Sequence, residues 1–250
     1  MAVVMRPELA ALERRFVLAE MPVELPMGRV VLEKPRNPDD LISEADFAHD
    51  DRLPYWADLW PAAIVLAEFL EHRAMLERAT GGDVGLRSPA DAARAAAPRA
   101  LELGCGLGLV TVAAMRAGYD VLATDYYADS TLLTARNAMR VLGREPALRM
   151  VDWRDLPSDL GTFDVVLAAD VLYEKLYAPL VAEAIRRTLA PAGVAWVSDQ
   201  GRVALGLFLE EAQARGLTAR IVHFETRPTN PPAPEGSAVH AITIYELRHA

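Results

Sequence analysis

Two periods of apolar residues alternate along most of this chain. Short runs of four to ten residues with strand-like composition are followed by longer stretches in which apolar positions recur every three or four residues. The spacing predicts strands over 100–103, 120–124, 147–151, 163–169, 193–198, 218–225 and 238–247. Helices are predicted over 108–117, 129–142, 174–189 and 203–215, the second closed by Gly143 and the last by Gly216. Strands alternating with helices imply a parallel sheet covered on both faces, an α/β, doubly wound, mostly parallel seven-stranded architecture. The last two strands have no helix between them, so the final one is expected to run antiparallel.

Upstream of this core, a short helical pattern precedes FVLAEMPVEL and GRVVLEK. These β-prone runs are separated by Pro26, Met27 and Gly28 and read as a hairpin or two edge strands. An aromatic lead-in from Pro54 precedes a helix starting at Pro61, where a missing N–H costs nothing. Ala62, Val65, Leu66, Phe69 and Leu70 make its apolar face, continued by Leu76. Residues 80–98 are rich in Gly, Ala, Ser and Pro and read as a surface linker. The expected organisation is one globular unit: an N-terminal extension over 1–53, a helix and linker over 54–98, and the core over 99–250. No internal repeat is present.

Composition narrows the class. The hydrophobic fraction of 52% over 250 residues is enough for a sizeable core. With 26 basic and 35 acidic residues the formal charge is −9, which disfavours a nucleic-acid partner, because such binding rests on neutralising phosphates. No apolar run reaches the roughly 18–20 residues that span a bilayer, and the N-terminus lacks the pattern of a signal peptide. Cys105 is the only cysteine, so no internal disulfide can form. A cytoplasmic protein is the expectation.

The segment ALELGCGLGLVTVAA, residues 100–114, carries the chemistry. It reads as a strand, a glycine turn and a helix start, placed where ligands bind in doubly wound sheets. Asp125 ends the next strand 21 residues after Gly104, the spacing of an acid that binds ribose hydroxyls. Gly104, Gly106 and Gly108 are spaced G-x-G-x-G rather than G-x-G-x-x-G, and Glu102 precedes them. An acid there repels a pyrophosphate and suits a ligand with a cationic amino group. Cys105 fits the turn by its small size.

On these residues the chain resembles the class I, seven-β-strand methyltransferases, and more narrowly the seven-β-strand protein-lysine methyltransferases. ELGCGLGL (102–109), PYWADLWPAA (54–63), VDW (151–153) and ADVLYE (169–174) carry the resemblance. It implies a Rossmann-like methyltransferase fold with S-adenosylmethionine as cofactor. It places Glu102, Gly104, Gly106 and Gly108, with Cys105 between them, at the floor of the cofactor site, and Asp125 on the ribose. Asp152 would bind the adenine amino group, Trp153 would cover the ring, and Trp60 would line the methionine end. Asp170 and Tyr173 would stand where a substrate amine meets the sulfonium. Each polar candidate has a structural alternative: a turn cap for Asp152, a helix N-cap for Asp170, packing beneath a helix for Tyr173. Trp56 and Trp60 share a face if their segment is helical, and core packing competes with ligand contact at both.

The resemblance implies methylation of a lysine nitrogen in a protein. A small-molecule amine or pyridine-type nitrogen is the alternative acceptor, and a non-catalytic S-adenosylmethionine-binding protein the alternative of another class. An NAD-linked oxidoreductase would need a later third glycine and a hydride-transfer residue. Amino methylation of adenine or glutamine would call for N-P-P-[YF] after the fourth strand, where this chain reads ADVLY; NPPA at 230–233 lies in a late proline-rich loop.

Overall fold

The N-terminal apolar pair forms a hairpin. In the computed structural model, which describes residues 14–37, 55–80, 97–228 and 239–250, strands β1 (Leu18–Val23) and β2 (Val30–Pro35) pair antiparallel, with Leu18 opposite Pro35 and Val23 opposite Val30. A single 3-10 turn, Tyr55–Ala57, then leads into α1 (Pro61–Thr80). The chain continues through β3 (Arg99–Leu103), α2 (Leu109–Ala117), β4 (Asp120–Asp125), α3 (Ala128–Leu142) and β5 (Ala147–Met150). It ends with β6 (Phe163–Ala169), α4 (Tyr177–Thr188), β7 (Leu189–Asp199), α5 (Leu205–Ala214), β8 (Leu217–Pro228) and β9 (Val239–His249). The expected short N-terminal helix, the 80–98 linker and the 227–237 loop fall largely outside the described residues.

Strands β3 to β9 form one sheet in the order β5-β4-β3-β6-β7-β9-β8. The first five are parallel, and β9 runs antiparallel between β7 and β8. From β3 the chain winds outward through β4 to β5, then returns to β6 on the other side of β3. That reversal opens a crevice at the carboxyl ends of β3 and β6.

The central strands are buried on both faces, which is why they read as unbroken apolar runs. On β6, Val165 and Leu167 join a core with Leu66, Val112 and Trp196 beneath α1, α2 and the hairpin. Their neighbours Val166 and Ala168 point the other way, into a core with Val181, Ile185 and Phe208 from α4 and α5.

Several boundaries differ from the sequence expectation, and two have an identifiable cause. β7 begins at Leu189 rather than Gly193, because Leu189 already pairs with Phe163 before the register shifts and resumes at Val165 opposite Val194. The irregularity takes Pro191, which has no N–H to give, out of the regular ladder. α4 begins at Tyr177 rather than Glu174, after a stretch of turns stitched by Tyr177 N–H to the Glu174 carbonyl.

The hairpin is bolted to α3 and α2. Asn137, fully buried, accepts from Glu33 N–H at 2.8 Å and donates to the carbonyls of Glu33 and Leu107 at 2.9 Å each. Arg136 and Arg140 both pair with the Glu33 carboxylate. On the other flank Glu71 accepts from Met27 N–H at 2.7 Å and pairs with Arg116 at 3.1 Å. Asn137→Ala leaves one N–H and two carbonyls buried without partners, each costing about 1–3 kcal/mol. We expect a loss of about 3 kcal/mol or more in stability by urea unfolding, with the hairpin and the Leu107 turn loosened together. No helix among the described residues is long and apolar enough to cross a membrane.

Candidate active site

Among the described residues, the crevice at the strand ends forms a pocket. It encloses about 1300 Å³ including its open mouth. Five segments deliver its walls: the turn after β3, the end of β4, the residues after β5, the end of β6 and the loop after β7. The Tyr55–Trp60 segment closes one side.

The turn after β3 carries Gly104, Cys105 and Gly106 into the pocket, with φ of +76° and +52° at the two glycines. A Cβ on Gly104 would crowd Val171 at 3.2 Å, and the positive φ itself favours glycine there. Gly108 is different. It lies outside the pocket lining, and a Cβ there would meet the Thr134 Cα at 2.9 Å. Its absent side chain lets α2 pack against α3. Cys105 is buried, accepts from the Thr134 hydroxyl at 3.3 Å, and burial pushes its thiol well above the usual range. It is a neutral packing residue, not a nucleophile.

Beneath the turn stand two buried acids. Burial raises the Glu102 carboxyl to about 8, against a hydrogen bond from the Thr111 hydroxyl that favours the ionised form. Asp125 is also raised by burial, and the N–H groups of Tyr127 and Gly106 oppose this at 3.0 Å each. Each Asp125 oxygen keeps acceptor capacity, as a vicinal diol would require. Neither acid has a cationic side chain in contact among the described residues.

Across the pocket Asp152 accepts from Arg154 N–H at 2.9 Å and so caps the 3-10 turn Trp153–Asp155. The Arg154 guanidinium also grips its carboxylate, at 2.7 Å for the closest contact, and lies 5.4 Å from the Tyr126 ring. The capping alternative for Asp152 is therefore realised, with part of its acceptor capacity committed. Trp153 packs edge-on against Tyr177 at 5.7 Å and lines the pocket, its Nε1 buried without a partner.

At the opposite end Asp170 ends β6. Its carboxylate is buried and does not cap α4, whose N-cap is Leu176. Instead Arg202 clamps it with two parallel hydrogen bonds of 2.8 and 2.7 Å, and Gln200 adds a third at 2.7 Å. Tyr173 lines the pocket and packs at steep ring angles between Tyr55 and Tyr177, 4.9 Å from each. Burial, then Tyr177, pushes its phenol upward, so it is a neutral hydrogen-bonding group. Trp60 anchors its ring by donating to the Tyr55 carbonyl at 2.8 Å. Trp56 is buried beside Leu107 and Leu133 and also lines the pocket.

The structure thus gathers Trp60, Glu102, Gly104, Cys105, Gly106, Asp125, Asp152, Trp153, Asp170 and Tyr173 around one pocket and leaves Gly108 behind it. Sequence reasoning passed over Tyr55, Tyr126, Arg154, Tyr177, Gln200 and Arg202. Arg154 follows the VDW motif directly, and Gln200 and Arg202 follow β7 at the same sheet edge as Asp170, so the strand-end rule could have found them. No group of three metal-ligating side chains occurs among the described residues.

The pocket fits S-adenosylmethionine on its own chemistry. Five carboxylates and two guanidinium groups line it, and each guanidinium is already committed to a carboxylate. Such a lining disfavours a pyrophosphate and accommodates a ligand bearing an ammonium and a sulfonium. The glycine turn admits close backbone approach, and Trp153 offers a ring face.

Comparison with known proteins agrees. The model of a family described as lysine methyltransferase matches residues 50–212. A protein-lysine methyltransferase of Mus musculus, METTL21E, is 30% identical over 127 residues, covering 48% of this chain and 46% of that protein. The electron transfer flavoprotein beta subunit lysine methyltransferase of Xenopus laevis is 27% identical over 154 residues, covering 60% and 53%. The chain spans about half the length of the curated relatives it matches. Among solved structures, the magnesium protoporphyrin IX methyltransferase of Synechocystis PCC 6803 with bound S-adenosylmethionine aligns with a TM-score of 0.54 at 16% identity. The alignment covers 82% of this chain and 94% of that one, a likeness of fold.

Proposed function

The chain belongs to the lysine methyltransferase family, and from that premise we propose that it transfers a methyl group from S-adenosylmethionine to the side-chain nitrogen of a lysine in a protein. The observation that carries this is the pairing of two ends in one pocket. Two buried acids without cationic partners, Glu102 and Asp125, lie at the glycine turn. A third acid, Asp170, lines the same pocket with Tyr55, Trp60 and Tyr173, and Arg202 links its carboxylate to the Trp60 ring. The first end suits the ammonium and ribose of the cofactor. The second suits an amine entering between aromatic faces.

Gly104 and Gly106 would admit the cofactor backbone-close, Asp125 would take the ribose hydroxyls, and Glu102 the amino group. Trp153 would cover the adenine. Asp152 would offer its amino group the acceptor sites that Arg154 leaves free. Trp60 would line the methionine end. The cofactor supplies an activated methyl on a sulfonium, with a thioether as leaving group. The protein's task is alignment and exclusion of water. The lysine arrives as an ammonium and must lose a proton to solvent at the pocket mouth before its lone pair can attack, and the neighbouring positive charge of a sulfonium would favour the neutral amine. Asp170 has three of its four acceptor positions filled by Arg202 and Gln200, leaving one on Oδ1 for an amine N–H. The neutral Tyr173 hydroxyl would accept the other. With both N–H bonds fixed, the lone pair points along the remaining direction. The free, buried Cys105 thiol supports a reducing, cytoplasmic setting.

The test uses S-adenosylmethionine labelled in the methyl group and a cell extract as acceptor, with amino-acid analysis of the labelled protein. Label recovered as methylated lysine is expected. Label confined to small molecules or to another residue type would contradict the reading.

A further inference from the structure

Among the described residues, Asp170 is the only non-glycine with positive φ, at +59°. Such a conformation is uncommon outside glycine and persists where surroundings impose it. The Asp170 carboxylate is held by two side chains of one loop. Arg202, from the loop after β7, meets the Asp170 carboxylate through Nε and Nη2 in a fork-to-fork pair, and Gln200 holds Oδ2 from the same loop. Asp170 N–H also donates to the Ser198 carbonyl at 2.9 Å, tying the two strand ends together.

Arg202 is itself held from both sides. Asp199, fully buried, accepts the N–H groups of Gly201 and Arg202 at 2.7 Å each, closing the tight turn that launches the arginine. The guanidinium carbon lies 4.8 Å from the centre of the Trp60 ring. The sequence Asp199 turn, Arg202, Asp170 is therefore continuous, and its far side rests on the aromatic wall. None of these contacts involves the glycine turn, Asp125 or Trp153.

We propose that Arg202 is a positioning residue for methyl transfer: it fixes the carboxylate of Asp170 so that its one free acceptor faces the incoming amine, and Asp199 fixes Arg202. This deepens the lysine reading above and rests on it. The planar fork sets both the orientation and the distance of the carboxylate. Lysine, as a point charge on a flexible stem, supplies the charge without the orientation.

The test compares wild type, Arg202→Ala, Arg202→Lys, Asp170→Asn and the Asp170→Asn/Arg202→Ala double variant. Transfer of labelled methyl to lysine in a cell extract and calorimetric affinity for S-adenosylhomocysteine are both read. Arg202→Ala is expected to lower the rate about 100-fold and Arg202→Lys about 10-fold or more, both with affinity within about threefold of wild type. Guanidinium chloride at low millimolar concentration should restore part of the Arg202→Ala rate and none of the Arg202→Lys rate. Because Arg202 acts through Asp170, adding Arg202→Ala to Asp170→Asn should change the rate by less than about threefold. Independent, multiplying losses would overturn the inference, as would a parallel loss of S-adenosylhomocysteine binding in both arginine variants. An active Arg202→Ala protein would defeat this role of Arg202 alone. A wild type that labels no lysine would defeat the lysine reading and this inference with it.

Discussion

Asp170→Asn is expected to slow methyl transfer by about 100-fold or more while leaving the affinity for S-adenosylhomocysteine within about threefold of wild type. Asparagine is chosen because it tolerates the positive φ of this position and keeps one acceptor oxygen. The fold is thereby spared while the charge is lost. The amide also turns one arm of the Arg202 fork into a donor facing a donor, so the guanidinium loses its two-point grip. The incoming amine then meets a group that is neutral and free to rotate. An interaction made only with the reacting amine shows in the rate, not in cofactor binding. Rate and affinity falling together would place Asp170 in holding the cofactor or the fold.

Affinity for S-adenosylhomocysteine is expected to rise with pH between about 6 and 8, approaching tenfold per unit at the lower end, and Glu102→Gln is expected to flatten that dependence. Burial raises the Glu102 carboxyl from 4.5 to about 8, so in the ligand-free protein it is protonated at neutral pH. A ligand ammonium pairs with the carboxylate, so binding below pH 8 must expel a proton. Asp125, raised in the same direction, couples to the same step. The sign for stability follows. A carboxyl raised on folding lends stability that is full below pH 4.5 and is lost as pH climbs to about 8. The ligand-free melting temperature should therefore carry a declining contribution over that window, and the ligand-induced rise in melting temperature should grow. A flat affinity from pH 6 to 8 would show that Glu102 does not meet the ammonium.

The sheet was legible because its central strands are buried on both faces and read as unbroken apolar runs, FDVVLAA above all. The glycine turn and Asp125 were legible because positive φ, close approach and a strand-end acid each demand particular residue types. The role of Gly108 was not. Its requirement comes from Thr134 on α3, a contact between segments distant in sequence. Leu189 looked helical because local periodicity carries the α4 pattern through it, whereas pairing with Phe163 makes it a strand residue. The arginine partners of Asp152 and Asp170 escaped for two reasons. Arg154 is a neighbour whose side chain folds back, and Arg202 arrives from another strand end. A carboxylate's partner is a tertiary fact, so the acids could be located while their occupancy could not.

This pocket is built for S-adenosylmethionine rather than a pyrophosphate-bearing cofactor. Calorimetric titration with S-adenosylhomocysteine, run beside NAD at pH 8, tests it most directly. One equivalent of S-adenosylhomocysteine binding at micromolar or tighter concentration, with no heat from NAD, is the predicted result. Binding of NAD, or no binding of S-adenosylhomocysteine, would contradict the account of Glu102, the glycine turn and Asp125 as a cofactor site.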